Sequence, residues 1–293
     1  MSRATEAPLP MPANSSARPT PAVPSDADMD AYFAGQQIYG DDFDAAQLAA
    51  WFASEASGYA GLVADSGQAY RYGYHALNAR HGFDHLPQGW RAHHALAFGS
   101  AYGDELKPHL QRLDRITLLD ASSQFQVPHL LDKPVSCLLA QASGDIAAAD
   151  QSFDLITCFG ALHHVANPSW VLRELYRVAA PGAHALLREP ITSMGDWRQP
   201  RAGLTQRERG FPPALLNQAI ESAGWRIERA APCQFSPLTK LAHHLGASVF
   251  DRPWATALDT TLARAFMWNW RYHRRSLWSR FAPGSLFYVL RKA

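Results

Sequence analysis

The sequence predicts an open α/β fold built around a parallel sheet, and three consecutive segments carry this prediction. Phe153–Phe159 is an apolar run of strand length, and apolar residues recur with helical spacing over residues 171–178, after the helix start at Asn167 and Pro168. A second apolar run then leads to the polar tip at residues 188–190. A strand, a helix and a strand of these lengths form a βαβ unit, whose two strands are parallel.

Length and composition place the chain among globular proteins. Its 293 residues are enough for one large or two small domains, and 47% are hydrophobic while 18% are charged. A net charge of +1 gives no general reason to expect nucleic acid as a partner. No apolar run approaches the roughly 20 residues that span a bilayer, so we expect a cytoplasmic protein without a transmembrane segment. Peripheral contact with a membrane remains open.

The cysteines indicate neither a zinc site nor a disulfide framework. Cys137, Cys158 and Cys233 lie far apart and show no CxxC spacing. Because no other cluster of ligand residues is evident in the sequence, we expect no metal.

The chain begins with two segments of different character. Residues 1–28 are rich in proline and poor in bulky apolar residues, which predicts a disordered tail. Residues 29–93 predict a helical cap, with Asp44 capping a first helix. Apolar residues at helical spacing support that helix and a second one: Leu48, Trp51, Phe52 and Tyr59, then Tyr70, Tyr72, Tyr74 and Leu77.

A short strand ending at Phe98 leads into a glycine-bearing turn and a helix predicted to run to about Leu113. Such a turn is a typical place for a nucleotide cofactor, because free backbone N–H groups point outward there. The GxGxxG pattern of dinucleotide-binding proteins would need glycines at Ala101 and Asp104. The sequence therefore disfavours a nicotinamide-dependent oxidoreductase.

Acidic residues follow the next two predicted strands. Asp120 ends the second strand about 20 positions after Gly99, a spacing that suits hydrogen bonds to ribose hydroxyls. A solvated loop carboxylate or a helix cap is the alternative. Ser122 can cap a helix that Pro128 would end early. The third strand, over residues 135–140, is followed by Asp145.

The central segment resembles class I S-adenosylmethionine-dependent methyltransferases. The resemblance rests on Phe153 and Asp154, on Leu162-His163-His164-Val165, on Arg177-Val178 and on Pro181-Gly182, with Ala183 where a second glycine is usual. It implies a Rossmann-like, seven-stranded, mostly parallel sheet whose last strand folds back antiparallel at the sheet edge. It also implies S-adenosylmethionine as cofactor.

The resemblance assigns the cofactor to residues around three strand ends: Gly99, Ser100, Ala101, Gly103, Asp120, Ala121, Asp145, Ile146 and Phe159. Asp145 stands where the family often contacts the adenine amino group. Two departures matter. Ala101 replaces the middle glycine, and Ala97 replaces an acidic residue whose loss is expected to weaken the hold on the methionine amino group.

Three candidates for acid-base chemistry follow the fourth and fifth strands. His163 and His164 lie where open α/β sheets bind ligands, and a neutral imidazole can take the proton of a methyl acceptor. Packing or a loop hydrogen bond is the alternative for either one. We expect adjacent histidines to point in different directions. Glu189 is the third candidate, and its alternative is a surface ion pair with Arg188 or another cation.

The last third predicts a helix opening at Phe211, a sixth strand from Trp225 and a seventh strand over residues 285–290. Residues 236–284 form a helical insertion before the last strand, with aromatic residues interleaved with arginines. This pattern suits an anionic or sugar-bearing acceptor, a membrane surface, or a helix that packs its aromatics inward. We take residues 94–293 as the methyltransferase domain.

The resemblance implies methyl transfer to an oxygen or nitrogen atom of a small molecule or glycan. The alternative is a catalytically degenerate protein of the same fold that serves as a binding or partner subunit, as the substitutions at Ala97 and Ala101 suggest.

Overall fold

A computed structural model describes residues 26–65, 72–196, 199, 201, 203–205, 207–244 and 249–293. The predicted disordered tail lies outside the described residues, except that residues 26–28 open the first helix. Tyr70 also lies outside them.

Seven strands form one sheet: β1 Ala92–Phe98, β2 Leu113–Asp120, β3 Ser136–Leu139, β4 Phe153–Phe159, β5 Ala179–Pro190, β6 Arg226–Phe235 and β7 Pro283–Arg291. Their order across the sheet is β3-β2-β1-β4-β5-β7-β6. The five strands from β3 to β5 pair in parallel, whereas β7 runs antiparallel to β5 and β6. The expected orientation of β7 is confirmed, but β7 lies between β5 and β6, so that β6 is the edge strand.

Seven α-helices accompany the sheet within the described residues: α1 Asp26–Phe33, α2 Ala45–Asp65, α3 His75–His81, α4 Pro168–Val178, α5 Pro213–Ser222, α6 Ser236–His244 and α7 Pro253–Ala265. Short 3-10 helices occupy Phe83–His85, Asp104–Arg112, Ser123–Phe125, Leu162–His164, Val249–Asp251, Met267–Asn269 and Trp278–Arg280. A small hairpin joins His129–Leu130 to Lys133–Pro134. Among these helices, none is both long and apolar enough to cross a bilayer.

The predicted βαβ unit is present, with one change at its end. The helix α4 begins at Pro168 as expected and buries Val171 and Leu175 against the sheet. The strand β5 begins at Ala179 and includes Pro181 and Gly182, although such a pair is typical of a turn between a helix and a strand. Its register with β4 shifts between Phe153 and Leu155, so an irregularity absorbs the turn residues into the strand.

The helix predicted after the glycine turn is a 3-10 helix, Asp104–Arg112, that contains Pro108. Proline lacks the N–H that an α-helix needs at that point, which accounts for the difference. Ser122 does cap a short helix, because its hydroxyl accepts from the Gln124 N–H. No α-helix connects β1, β2, β3 and β4 through residues 92–159, all of which are described.

The two faces of the sheet bury separate cores. Leu96, Ile156 and Leu187 belong to one core, whereas Ala97 and Leu186 belong to the other, as alternation along a strand requires. A third cluster joins the start of the chain to the insertion. It packs Tyr32 edge-on against Tyr272, at 5.6 Å between ring centroids. The insertion thus turns part of its aromatic surface inward, although Trp268 and Trp278 are exposed.

Candidate active site

A cleft opens at the carboxyl ends of β1, β2 and β4, beneath α2. Six of the residues assigned from the sequence line it: Gly99, Asp120, Ala121, Asp145, Ile146 and His164. The cleft has a volume of about 120 Å³. Leu48, Trp51 and Phe52 of α2 form its apolar wall. A mostly apolar lining with a few polar groups is typical of sites for small ligands.

Asp120 ends β2 with its carboxylate held by the glycine turn. Its Oδ2 atom accepts from the Ala101 N–H at 2.9 Å, and its Oδ1 atom accepts from the Ser122 N–H at 3.2 Å. Burial raises the pKa of Asp120, although these backbone N–H groups act in the opposite direction. Each oxygen keeps a further lone pair for a ligand hydroxyl.

Asp145 and Ile146 lie at the other end of the cleft. The Asp145 carboxylate accepts from the Trp170 indole at 2.9 Å and from the Ser143 hydroxyl at 2.8 Å. The Ile146 N–H donates to the buried carboxylate of Glu174 at 3.0 Å, so Ile146 offers the cleft its side chain.

The glycine turn adopts the backbone its pattern requires. Gly99 has a φ of 62°, and a Cβ there would lie 2.3 Å from the Ala161 Cβ. Ala101 keeps a φ of 49° despite its side chain, a conformation that costs an L-residue about 1–2 kcal/mol. Gly103 packs against Leu118 and does not line the cleft.

A second cavity adjoins the cleft, and Gly99 and Gly160 line both spaces. Ser100, Phe159 and His163 line this second cavity and are absent from the cleft lining. The sequence-assigned cofactor residues are therefore divided between two adjoining spaces, except for Ala101 and Gly103, which line neither.

His164 faces the cleft and is held from behind by a carboxylate. Its Nδ1 atom lies 3.0 Å from Glu55 Oε2, and Glu55 also accepts from the Thr205 hydroxyl. Burial lowers the pKa of His164, but the hydrogen bond that its ring donates to Glu55 and the charge of Glu208 outweigh burial and raise the pKa above its usual value.

Glu189 is fully buried and binds the loop that carries the histidines. Its carboxylate accepts from the N–H groups of Ala161 at 3.0 Å and Leu162 at 2.9 Å, and lies 2.9 Å from His163 Nδ1. Its expected surface partner, Arg188, instead donates to Asn78. Burial, followed by the charge of His164, lowers the pKa of His163. Glu189 therefore holds this loop in place.

The two histidines do not point apart, contrary to the sequence expectation. Their ring centroids lie 4.1 Å from each other, because Glu55 and Glu189 fix the two rings from opposite sides. Glu208 joins them, and among the described residues His163, His164 and Glu208 offer ligand atoms within 4.8 Å of one another. This spacing is compatible with a metal ion that the sequence did not suggest.

Several site residues escaped the sequence analysis. Glu55 and Glu208 come from α2 and from a loop, about 110 residues before and 45 after the histidines, and only folding brings them together. A carboxylate four residues after Trp51 on a predicted amphipathic helix was the one available signal for Glu55. Arg209 is buried and donates to the carbonyl oxygens of His163, Tyr39 and Ala166.

Comparison with known proteins agrees with this topology. Residues 96–187 match a family model described as a methyltransferase domain. The cyclase SpnF is similar to this chain at a TM-score of 0.52 and 17% identity, over 82% of this chain and 96% of that one. A chain of the Haloferax volcanii complex that contains the Trm112 methyltransferase activator gives a TM-score of 0.50 and 16% identity, with coverage of 82% and 96%. No curated protein matches the chain.

At 17% and 16% identity, the two solved structures establish the fold alone. The family model adds a match in sequence over residues 96–187. The strand order of the sheet agrees with the Rossmann-like methyltransferase fold, and residues 96–187 carry the sequence of a methyltransferase domain.

Proposed function

We propose that the protein transfers the methyl group of S-adenosylmethionine to an oxygen or nitrogen atom of a small-molecule acceptor. One observation carries this proposal: the carboxylate of Asp120 and the imidazole of His164 line the same cleft. Fold alone does not determine function, and the similar structure of a cyclase illustrates this point.

The residues present fit the cofactor. The Ser100 hydroxyl and Glu105 Oε2 are buried beside the turn without a hydrogen-bond partner among the described residues, as expected of a site that a polar ligand completes. Asp120 would hold the ribose hydroxyls, while Asp145 and Ile146 would border the adenine. When bound, the cofactor supplies a methyl group activated by a sulfonium.

His164 is the proposed general base. We assign the uptake of the acceptor's proton to Nε2, because Nδ1 lies 3.0 Å from Glu55 Oε2. The Glu55 carboxylate stabilises the imidazolium that results, and Glu208 adds a second negative charge 3.9 Å from Nδ1. His163 and Glu189 position the loop and take no proton in this scheme. The scheme assigns no metal to His163, His164 and Glu208.

The wall of the cleft supports a small acceptor with apolar surface. Leu48, Trp51 and Phe52 cover one side, and Trp51 is tied to the histidine loop because its indole donates to the His164 carbonyl at 2.7 Å. These contacts favour a small molecule over a glycan. We propose that residues 29–93 serve as a cap over a methyltransferase domain formed by residues 94–293.

The proposal is tested by incubating the protein with S-adenosylmethionine and fractions of small metabolites, and measuring S-adenosylhomocysteine by mass spectrometry. We expect one fraction to give acceptor-dependent product. His164→Gln should lower that rate by about 100-fold, as the loss of a general base does. His129→Gln, a change at an exposed histidine outside the cleft, serves as the matched control and should leave the rate unchanged.

Two outcomes would contradict the proposal. Equal rates for His164→Gln and the control would remove His164 as the base. Binding of S-adenosylmethionine without product from any fraction would support the alternative of a degenerate binding protein.

A further inference from the structure

The second cavity contains two buried ionisable side chains, Glu105 and Arg188, to which the proposed function assigns no individual role. It has a volume of about 400 Å³, and Tyr72, Tyr74, Glu105 and Arg188 line it. Glu105 is 4% exposed and Arg188 is 6% exposed. Buried charges of this kind are rare unless a partner compensates them.

The two side chains do not satisfy each other. Arg188 donates to Asn78 Oδ1 at 3.1 Å and lies 4.2 Å above the Tyr74 ring. Glu105 Oε1 accepts a long hydrogen bond of 3.4 Å from the Thr157 hydroxyl. Glu105 Oε2 has no hydrogen-bond partner among the residues that the structure describes. Both residues line the cavity, so that a carboxyl group with one oxygen unsatisfied among the described residues and a guanidinium border the same space.

The position of Glu105 is related to that of Ala97 on β1, where an acidic residue is usual in the family that the sequence resembles. Ala97 of β1 stands opposite Thr157 of β4, so both side chains point to the same face of the sheet. Glu105 reaches Thr157 from the glycine turn. Its carboxyl group therefore lies beside the small side chain of Ala97, where a carboxylate on β1 would otherwise project.

The cavity continues from the cofactor cleft at Gly99 and Gly160. A ligand with its ribose at Asp120 would place its other end toward that junction, because Gly99 follows the strand beside β2. In S-adenosylmethionine this end is an α-amino acid, which carries an ammonium and a carboxylate on neighbouring atoms. A carboxylate and a guanidinium together recognise this pair of charges.

We propose that the second cavity binds the amino-acid end of S-adenosylmethionine, with Glu105 accepting from the ammonium in place of a carboxylate at Ala97 and Arg188 binding the carboxylate. This assignment rests on the proposed function. Glu105, eight positions later in the chain, would then compensate for the acidic residue that is absent at Ala97.

A proton should accompany binding. Burial raises the pKa of Glu105 to about 8, so the group is mostly protonated in the free protein at pH 7. The charged and titratable groups around it are Asp104, Arg188, Tyr72 and His163. An ammonium ligand favours the carboxylate, and the protein then releases close to one proton per ligand at pH 7.

The test is calorimetry with two ligands, S-adenosylhomocysteine and 5′-methylthioadenosine, which share the adenosine and the sulfur but differ in the amino-acid end. Glu105→Gln should weaken binding of S-adenosylhomocysteine by about 10- to 100-fold, as expected for a charged hydrogen bond, and leave 5′-methylthioadenosine unchanged. Repeating the titration in buffers of different ionisation enthalpy should show proton release in the wild type and none in this variant.

The controls use neighbouring positions. Asp104→Asn makes the same change one residue away and outside the cavity lining, and should preserve the preference for S-adenosylhomocysteine. Ala97→Asp in the Glu105→Gln background should restore much of the lost affinity. Glutamine matches the shape of a protonated glutamate, and unchanged binding of 5′-methylthioadenosine reports an intact fold.

The outcomes separate the two proposals. Equal affinity of the wild type for both ligands, or an equal loss for both in Glu105→Gln, would overturn the assignment of the cavity while leaving the cofactor cleft in place. Absence of binding by either ligand would overturn the proposed function and this assignment with it.

Discussion

Glu55 controls the proton affinity of the imidazole at the mouth of the cleft. It belongs to α2, and burial raises its own pKa, but hydrogen bonds from His164 and Thr205 lower that pKa overall. The pair therefore favours a charged carboxylate beside a protonated imidazole. A raised pKa means that protonated His164 stabilises the fold below about pH 6.5, and that this contribution is lost as the pH rises through the folded-state pKa.

We predict that Glu55→Gln lowers the pKa of His164, because the variant removes the hydrogen-bonded negative charge while burial remains. The rising limb of the pH-rate profile should move to lower pH, and the rate at its plateau should fall by about 10-fold as the base weakens. NMR titration of the labelled imidazole measures the pKa without an acceptor. Glu221→Gln, at an exposed helix position, is the control. An unchanged His164 pKa would contradict the role given to Glu55.

Single residues differed in how far the sequence could predict them. Asp120 was predictable, because its place follows from the length of one strand-turn-strand segment. Glu105 was not, because its significance depends on the register that sets Thr157 opposite Ala97. The direction of the histidines depended on carboxylates from distant elements. Local spacing carries no information on such contacts.

The helix α2 connects the N-terminal part of the chain to the cleft, which its residues line. Its start is a reciprocal cap: the Gln47 N–H donates to Asp44 Oδ1 at 2.9 Å, and the Asp44 N–H donates to Gln47 Oε1 at 2.9 Å. The same helix carries Trp51, which is buried, and Glu55. Order at the start of α2 therefore supports the position of Glu55 beside His164.

We predict that Asp44→Ala destabilises the protein by about 1 kcal/mol, the usual effect of losing a cap. The midpoint of thermal unfolding should fall by roughly 2–4 °C. Asp42→Ala removes an exposed carboxylate two residues earlier and should have little effect. Equal midpoints for the two variants would show that this cap adds nothing to stability.

Elements with strong periodicity were the easiest to predict. The strands β1, β2 and β4 and the helix α4 were expected close to their observed bounds, because their apolar residues face a core on regular spacing. The 3-10 helix Asp104–Arg112 and the early start of β5 were missed. Pro108 disfavours an α-helix in the first segment, and an irregular register with β4 admits Pro181 into β5 in the second.

Over the whole molecule, the chain joins its cap to its sheet through buried polar contacts. Arg209 binds carbonyl oxygens of the histidine loop and of Tyr39, and its guanidinium lies 5.0 Å from the Trp51 ring centroid. Tyr32 donates to the Ser193 carbonyl at 3.0 Å. The sequence predicted the parallel sheet, and the family resemblance implied its antiparallel last strand. Contacts between residues far apart in the chain, such as Tyr32 and Ser193, cannot be predicted from local patterns.

The central claim is that this fold binds S-adenosylmethionine through Asp120. The most direct measurement is a calorimetric titration with S-adenosylhomocysteine of the wild type, of Asp120→Ala and of Asp132→Ala, a control at a carboxylate outside the cleft lining. We expect binding by the wild type and the control, and a loss of about 10-fold or more in affinity for Asp120→Ala, since ribose hydroxyls lose a buried charged acceptor. Equal affinity for all three proteins, or no binding by the wild type, would contradict the account.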